Sequence, residues 1–138
     1  MKRLLRGLLV ALWSVGAPAQ TVAPIVSSVA VVWDSNTTVA NAVIPLLLPQ
    51  WAGGGRIVSC SYYTGGTSTP SFTANVQIGV TSVTGCGAVS VSSSTPATTA
   101  ATANNTFTAS SSITLTITSV AGAPTQALFQ VNLATTQN

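Results

Sequence analysis

Few side chains in this 138-residue sequence could carry out acid–base, nucleophilic or metal chemistry. There is no His, the single acidic residue is Asp34, and the four cations are Lys2, Arg3, Arg6 and Arg56. General acid–base catalysis needs a group titrating near the working pH, and a Ser or Thr nucleophile needs a base beside it. Asp34 alone is a poor candidate for either role. A glycosidase of the usual kind uses two carboxylates, whereas this chain has one. Zinc and calcium sites need clusters of His, Cys or carboxylate ligands, and two Cys with one Asp do not make one. No Gly-rich phosphate loop precedes a helix, because no helical period is sustained beyond residue 20. The residues therefore argue against an enzyme, and neither cofactor nor metal is expected.

Two kinds of chemistry remain. Cys60 and Cys86 can form a disulfide in an exported protein, closing a loop of about 27 residues and contributing about 3–4 kcal/mol. In a cytosol the same pair would stay as two buried thiols. The second chemistry is recognition. The stretch "WAGGGRIVSCSYYTGG" gathers Trp51, Arg56, Tyr62 and Tyr63 around two glycine-rich turns. Aromatic faces beside hydroxyls and amides can hold a sugar ring by stacking and hydrogen bonding, with no charge required. The competing assignment has Trp51 stapling the end of a sheet and one tyrosine facing the core. Strand alternation sends adjacent Tyr62 and Tyr63 to opposite faces, so at most one of them binds on a given face.

Three smaller features have plain explanations. Asp34 in "WDSN" reads as a turn residue that hydrogen-bonds its own backbone. Were it to pair with Arg56, an exposed pair would add only ~0–1 kcal/mol. "NTT" at 36–38 and "NNT" at 104–106 match the N-glycosylation sequon, a match that this much Thr produces by chance.

The charge belongs to one end of the chain. "MKRLLR", the apolar run "GLLVALWSVG" and the small-residue end "APAQ" form the three-part pattern of a secretory leader, with cleavage expected after Ala19. The apolar run is much shorter than the ~20 residues that span a bilayer, so no stable membrane anchor is expected in the mature chain. Lys2, Arg3 and Arg6 account for the whole formal net charge of +3. From residue 20 onward only Asp34 and Arg56 remain, and they cancel. One cation cannot neutralise several phosphates, which removes nucleic acid from the list of partners. A domain this poor in charge lacks the repulsion that keeps small proteins apart, so a homo-oligomer or a larger protein assembly is expected.

Residues 20–138 are long enough for one domain with a modest core. Its organisation is that of strands. "SFTANVQIG" sets Phe72, Ala74, Val76 and Ile78 against Thr73, Asn75 and Gln77. "SITLTITSV" sets Ile113, Leu115 and Ile117 against Thr114, Thr116 and Thr118. "ALFQVNLAT" sets Phe129, Val131 and Leu133 against Gln130 and Asn132. Each is a half-buried strand. Weaker strand candidates are "IVSSVAVVW", "TVANAVIPLLL", "RIVSCSYY", "AVSVSSS" and "NNTFTA", separated by the turn signals "PQWAGGG", "YTGGTSTP", "TGCG" and "AGAPT". "SSSTPATTAATANN" reads as a loop or an irregular edge strand. The predicted fold is an all-β antiparallel sandwich of about eight strands, jelly-roll-like, with Ser and Thr covering its wet faces.

"RIVSCSYYTGGTSTPSFTANVQIGVTSVTGCGAVSVSSS" and "ANNTFTASSSITLTITSVAGAPTQALFQVNL" together resemble a β-sandwich module of bacteriophage virion proteins, tail-associated or fibre-like. The resemblance runs from about Leu46 to Leu133 and departs at Ser110, Ser111 and Ser112, where a Gly-Asp turn is expected. It implies a non-enzymatic structural or recognition role in a phage appendage or surface decoration, located in the virion. The leader implies the alternative, a secreted or periplasmic bacterial surface or matrix protein that binds a glycan.

Overall fold

The computed structural model describes residues 25–33, 39–47, 54–66, 69–92 and 94–135, and every regular element among them is a strand. In chain order these are β1 (Ile25–Trp33), β2 (Ala42–Leu47), β3 (Gly55–Gly66), β4 (Ser71–Ile78), β5 (Thr81–Ser82), β6 (Val89–Val91), β7 (Ala97–Ala100), β8 (Thr106–Phe107), β9 (Ile113–Ala121) and β10 (Pro124–Thr135). The leader at 1–19, Asp34, the 36–38 sequon and Trp51 lie outside the described residues.

Two antiparallel sheets result. One runs β1-β10-β3-β7, with β8 also on β3; the other runs β2-β9-β4-β5, with β6 also on β4. Because β5 and β6 share one side of β4, and β7 and β8 one side of β3, ten strands occupy eight places. Numbered by place, the sheets read 1-8-3-6 and 2-7-4-5. That is the jelly roll, two Greek keys wound into a sandwich. The chain changes sheet at each step except where β5 and β6 follow β4 and β8 follows β7.

The inward rows of the three most regular strands build the core. Phe72, Ala74 and Val76 of β4, Ile113, Leu115 and Ile117 of β9, and Phe129, Val131 and Leu133 of β10 are all buried. Trp33 from one sheet meets Phe72 from the other, with ring centroids 6.1 Å apart and planes tilted by 54°. Strand β3 runs further than "RIVSCSYY": Thr64, Gly65 and Gly66 stay paired with β10 instead of turning. The buried Thr64 hydroxyl donates to the carbonyl of Gln126 at 3.4 Å, a bond that lets a polar side chain stand in the core row.

The two long sides of the sandwich differ. On the β5–β7 side, Thr84 bridges to Ala103, its N–H donating to that carbonyl at 3.0 Å, and Thr102 N–H donates back to Thr84 at 2.9 Å. The Cys60–Cys86 disulfide crosses there from β3 to the turn before β6. Gly85 makes the crossing feasible. Its φ is +93° and an added Cβ would collide with the carbonyl oxygen of Ala100. A side chain at that position therefore meets both a disfavoured backbone region and fixed backbone atoms. Gly85→Ala is expected to destabilise the domain by about 1–3 kcal/mol, read as a shift in urea midpoint. An unchanged midpoint would show that the turn does not hold this geometry.

Candidate recognition surface

The disulfide and the aromatic residues sit in different parts of this frame. Cys60 and Cys86 are joined, with Cα atoms 5.8 Å apart and both side chains fully buried. They are a staple between sheets. Among the described residues, no three His, Cys, Asp or Glu side chains come together.

Strand β3 distributes the other candidates through a bulge. Asn132 pairs with Ser59 and Leu133 with Ile57, so Val58 is the extra residue. The bulge is tied down from the β7–β8 connection. Asn105 Nδ2 donates to the carbonyls of Ile57 at 2.9 Å and Ala101 at 3.2 Å, while Ile57 N–H donates to Asn105 at 2.7 Å. An extra residue reverses the phase of alternation. Ile57, Cys60, Tyr62 and Thr64 consequently face the core, and Ser59, Ser61 and Tyr63 face out. Tyr62 stacks on Phe129 with centroids 6.0 Å apart and shares a 2.9 Å hydrogen bond with the Thr99 hydroxyl. It is a core residue with a polar tip.

Tyr63 belongs to the outer face of the β1-β10-β3-β7 sheet, where pairing aligns three rows. Ser28, Asn132, Ser59 and Ala100 form the first; Ala30, Gln130, Ser61 and Thr98 form the second; Val32, Leu128 and Tyr63 form the third. The first two rows are laced together. Gln130 Nε2 donates to Asn132 Oδ1 at 2.8 Å, and Asn132 Nδ2 reaches Ser59 Oγ at 3.0 Å and Ser61 Oγ at 3.4 Å. Ser61 and Thr98 share a hydrogen bond of 2.9 Å. The third row is apolar and wet, with Val32 65% exposed. This face thus sets a tyrosine ring and two aliphatic side chains beside a fixed lattice of amides and hydroxyls. Arg56 is exposed at the far end of β3, seven residues or roughly 23 Å from Tyr63. Arg56 and Tyr63 therefore do not form one cluster, and Tyr62 is not on the surface they share.

A second concavity lies between the β4–β5 turn and the approach to β8. It is an open groove of about 270 Å³ lined by Ile78, Thr81, Asn104, Asn105 and Thr106. Its size falls short of the ~300–1,000 Å³ usual for small-molecule sites, and the Asn105 amide is committed to the bulge. Asn104, the acceptor position of the second sequon, is exposed with φ of 51°.

The Tyr63 row was not readable beforehand. Val32 and Leu128 lie in strands distant in sequence, and only the pairing of β1 with β10 and of β10 with β3 brings them beside Tyr63. Comparison with protein-family models, with curated proteins and with solved structures finds no match for this chain.

Proposed function

We propose that this chain is a non-enzymatic structural and recognition module, an appendage or surface-decoration domain of a phage particle. The observation that carries the reading is a jelly roll whose outer sheet face is laced by amide and hydroxyl bonds and carries one described charge, Arg56 at the far end of β3. Such a face has little long-range repulsion to overcome, which favours association with like surfaces. The resemblance of "SYYTGGTSTPSFTANVQI" and "SITLTITSV" to virion modules supports the same reading. N-terminal sequencing of the chain from its natural source tests it. A virion protein assembled in the cytoplasm keeps Met1, and a chain beginning at Gln20 overturns the assignment.

The alternative, a secreted surface protein that binds an uncharged glycan, is favoured by the third row. A half-exposed Tyr63 beside Leu128 and Val32 offers a flat apolar strip against which the C–H-rich face of a sugar ring packs, with amides and hydroxyls one row away. Glycan-array binding is then expected to vanish in Tyr63→Ala. Tyr62→Phe is expected to leave binding unchanged and to cost about 1 kcal/mol of stability through the lost Thr99 hydrogen bond. Equal binding by Tyr63→Ala and the parent chain would exclude this face.

A further inference from the structure

We propose that β1 is an assembly edge, pairing antiparallel with β1 of a second copy about a two-fold axis centred on Val29. An edge strand leaves every second residue's N–H and C=O without a strand partner, and proteins usually blunt such edges with short length, proline, bulges or charge. Three of the four edges here are blunted. β7 has four residues, and β5 and β6 have two and three. β2 is interrupted by Pro45 and a register shift between Pro45 and Leu47. β1 is different. "IVSSVAVVW" runs nine residues in unbroken register with β10, without charge, proline or glycine, and no described strand lies on its far side.

The side of the sandwich that ends in β1 and β2 is also the side without a staple among the described residues. Val29 and Val31 face inward yet are only partly buried, as are Ile44 and Leu46 of β2. Val29 and Leu46 flank a narrow apolar notch floored by Ile113, Val131 and Leu133. A second β1 alongside would complete the hydrogen-bonding of the first and cover part of this apolar margin.

A second copy fits because the strand is self-complementary. A two-fold at Val29 overlaps all nine residues and sets Ser28 opposite Ala30. Inward positions meet inward positions and outward meet outward, as sheet pairing demands. Neither copy brings a charge to the seam, so no like-charge contact opposes it. The two sheets become one, running β7-β3-β10-β1-β1-β10-β3-β7. A two-fold perpendicular to the sheet keeps both Tyr63 rows on the same side, so a polymeric ligand would engage two of them at once. The pairing does not depend on whether a virion or a cell surface carries the chain.

The test uses charge at two exposed positions of β1. Sedimentation of the full chain should give the dimer mass. Ser28→Lys with Ala30→Lys sets lysine against lysine across the seam and should halve the mass, as should Ser28→Asp with Ala30→Asp. Mixing the two variants in equal amounts should restore the dimer. Hydrogen exchange supplies an independent readout, since β1 amides of the parent chain should slow with rising protein concentration. A parent chain that stays monomeric up to its solubility limit, including one whose own residues 1–24 cover the edge, overturns the proposal. So does a Lys variant that keeps the dimer mass, or β1 exchange independent of concentration.

Discussion

Truncating Phe72 to alanine is expected to cost about 3–5 kcal/mol, the range for removing a buried phenylalanine ring. Phe72 is 1% exposed, lies in β4 between β6 and β9, and meets Trp33 across the sandwich. It therefore touches both sheets, and the void left behind would be walled by strands that cannot close without losing register. For a domain of this size the loss corresponds to a fall in Tm of about 10–20 °C. Val80→Ala is the matched control: Val80 is 93% exposed in the β4–β5 turn, and its truncation should stay within about 0.5 kcal/mol of the parent. Urea unfolding of both variants under oxidising conditions is the measurement. A Phe72→Ala chain within 1 kcal/mol of the parent would mean that the two inner rows do not interlock.

Removing the disulfide is expected to cost nearly as much. Cys60 and Cys86 are 26 residues apart, and releasing a loop of that length returns about 3–4 kcal/mol of conformational freedom to the unfolded chain. The matched variant is Cys60→Ala with Cys86→Ala, because Ser at a fully buried site would add an unpaired hydroxyl. A kinetic consequence follows from burial. Both sulfurs have no solvent exposure, so reductant should act slowly on the folded chain and at once in urea. Fast reduction without denaturant would place the pair at the surface. An unchanged unfolding free energy in the double variant would show that the sheets need no staple on that side.

The alternating segments were legible because each keeps one phase throughout. Phe72, Ala74 and Val76, then Ile113, Leu115 and Ile117, then Phe129, Val131 and Leu133 all lie on the inner rows that period 2 assigns. β3 was legible only as a strand. Counting by twos from the buried Ile57 puts Tyr63 inside, whereas the bulge at Val58 turns Tyr62 inward instead. A bulge adds one residue without a mark in composition, so no periodicity argument could choose between the two tyrosines. The "SSSTPATTAATANN" segment left a loop and an irregular edge strand both open, and β7 is the edge strand. Ala97–Ala100 is an edge strand with little buried side-chain surface, and it is held by backbone pairing to β3 and by the Ser61–Thr98 and Tyr62–Thr99 hydroxyl contacts. Such a strand has no hydrophobic period to detect. The outer-face rows depend on pairings between residues about 100 positions apart, such as Val32 with Leu128, and local pattern carries no information about them.

Assignment to a particle is tested most directly by the abundance of this chain in purified phage particles, measured by quantitative mass spectrometry across a density gradient. The expected result is that peptides from β3 to β10 peak with the particle band, at a constant ratio to the major capsid protein in every fraction. Peptides that follow the culture fluid or the cell envelope, and fall to background in the particle band, would contradict it.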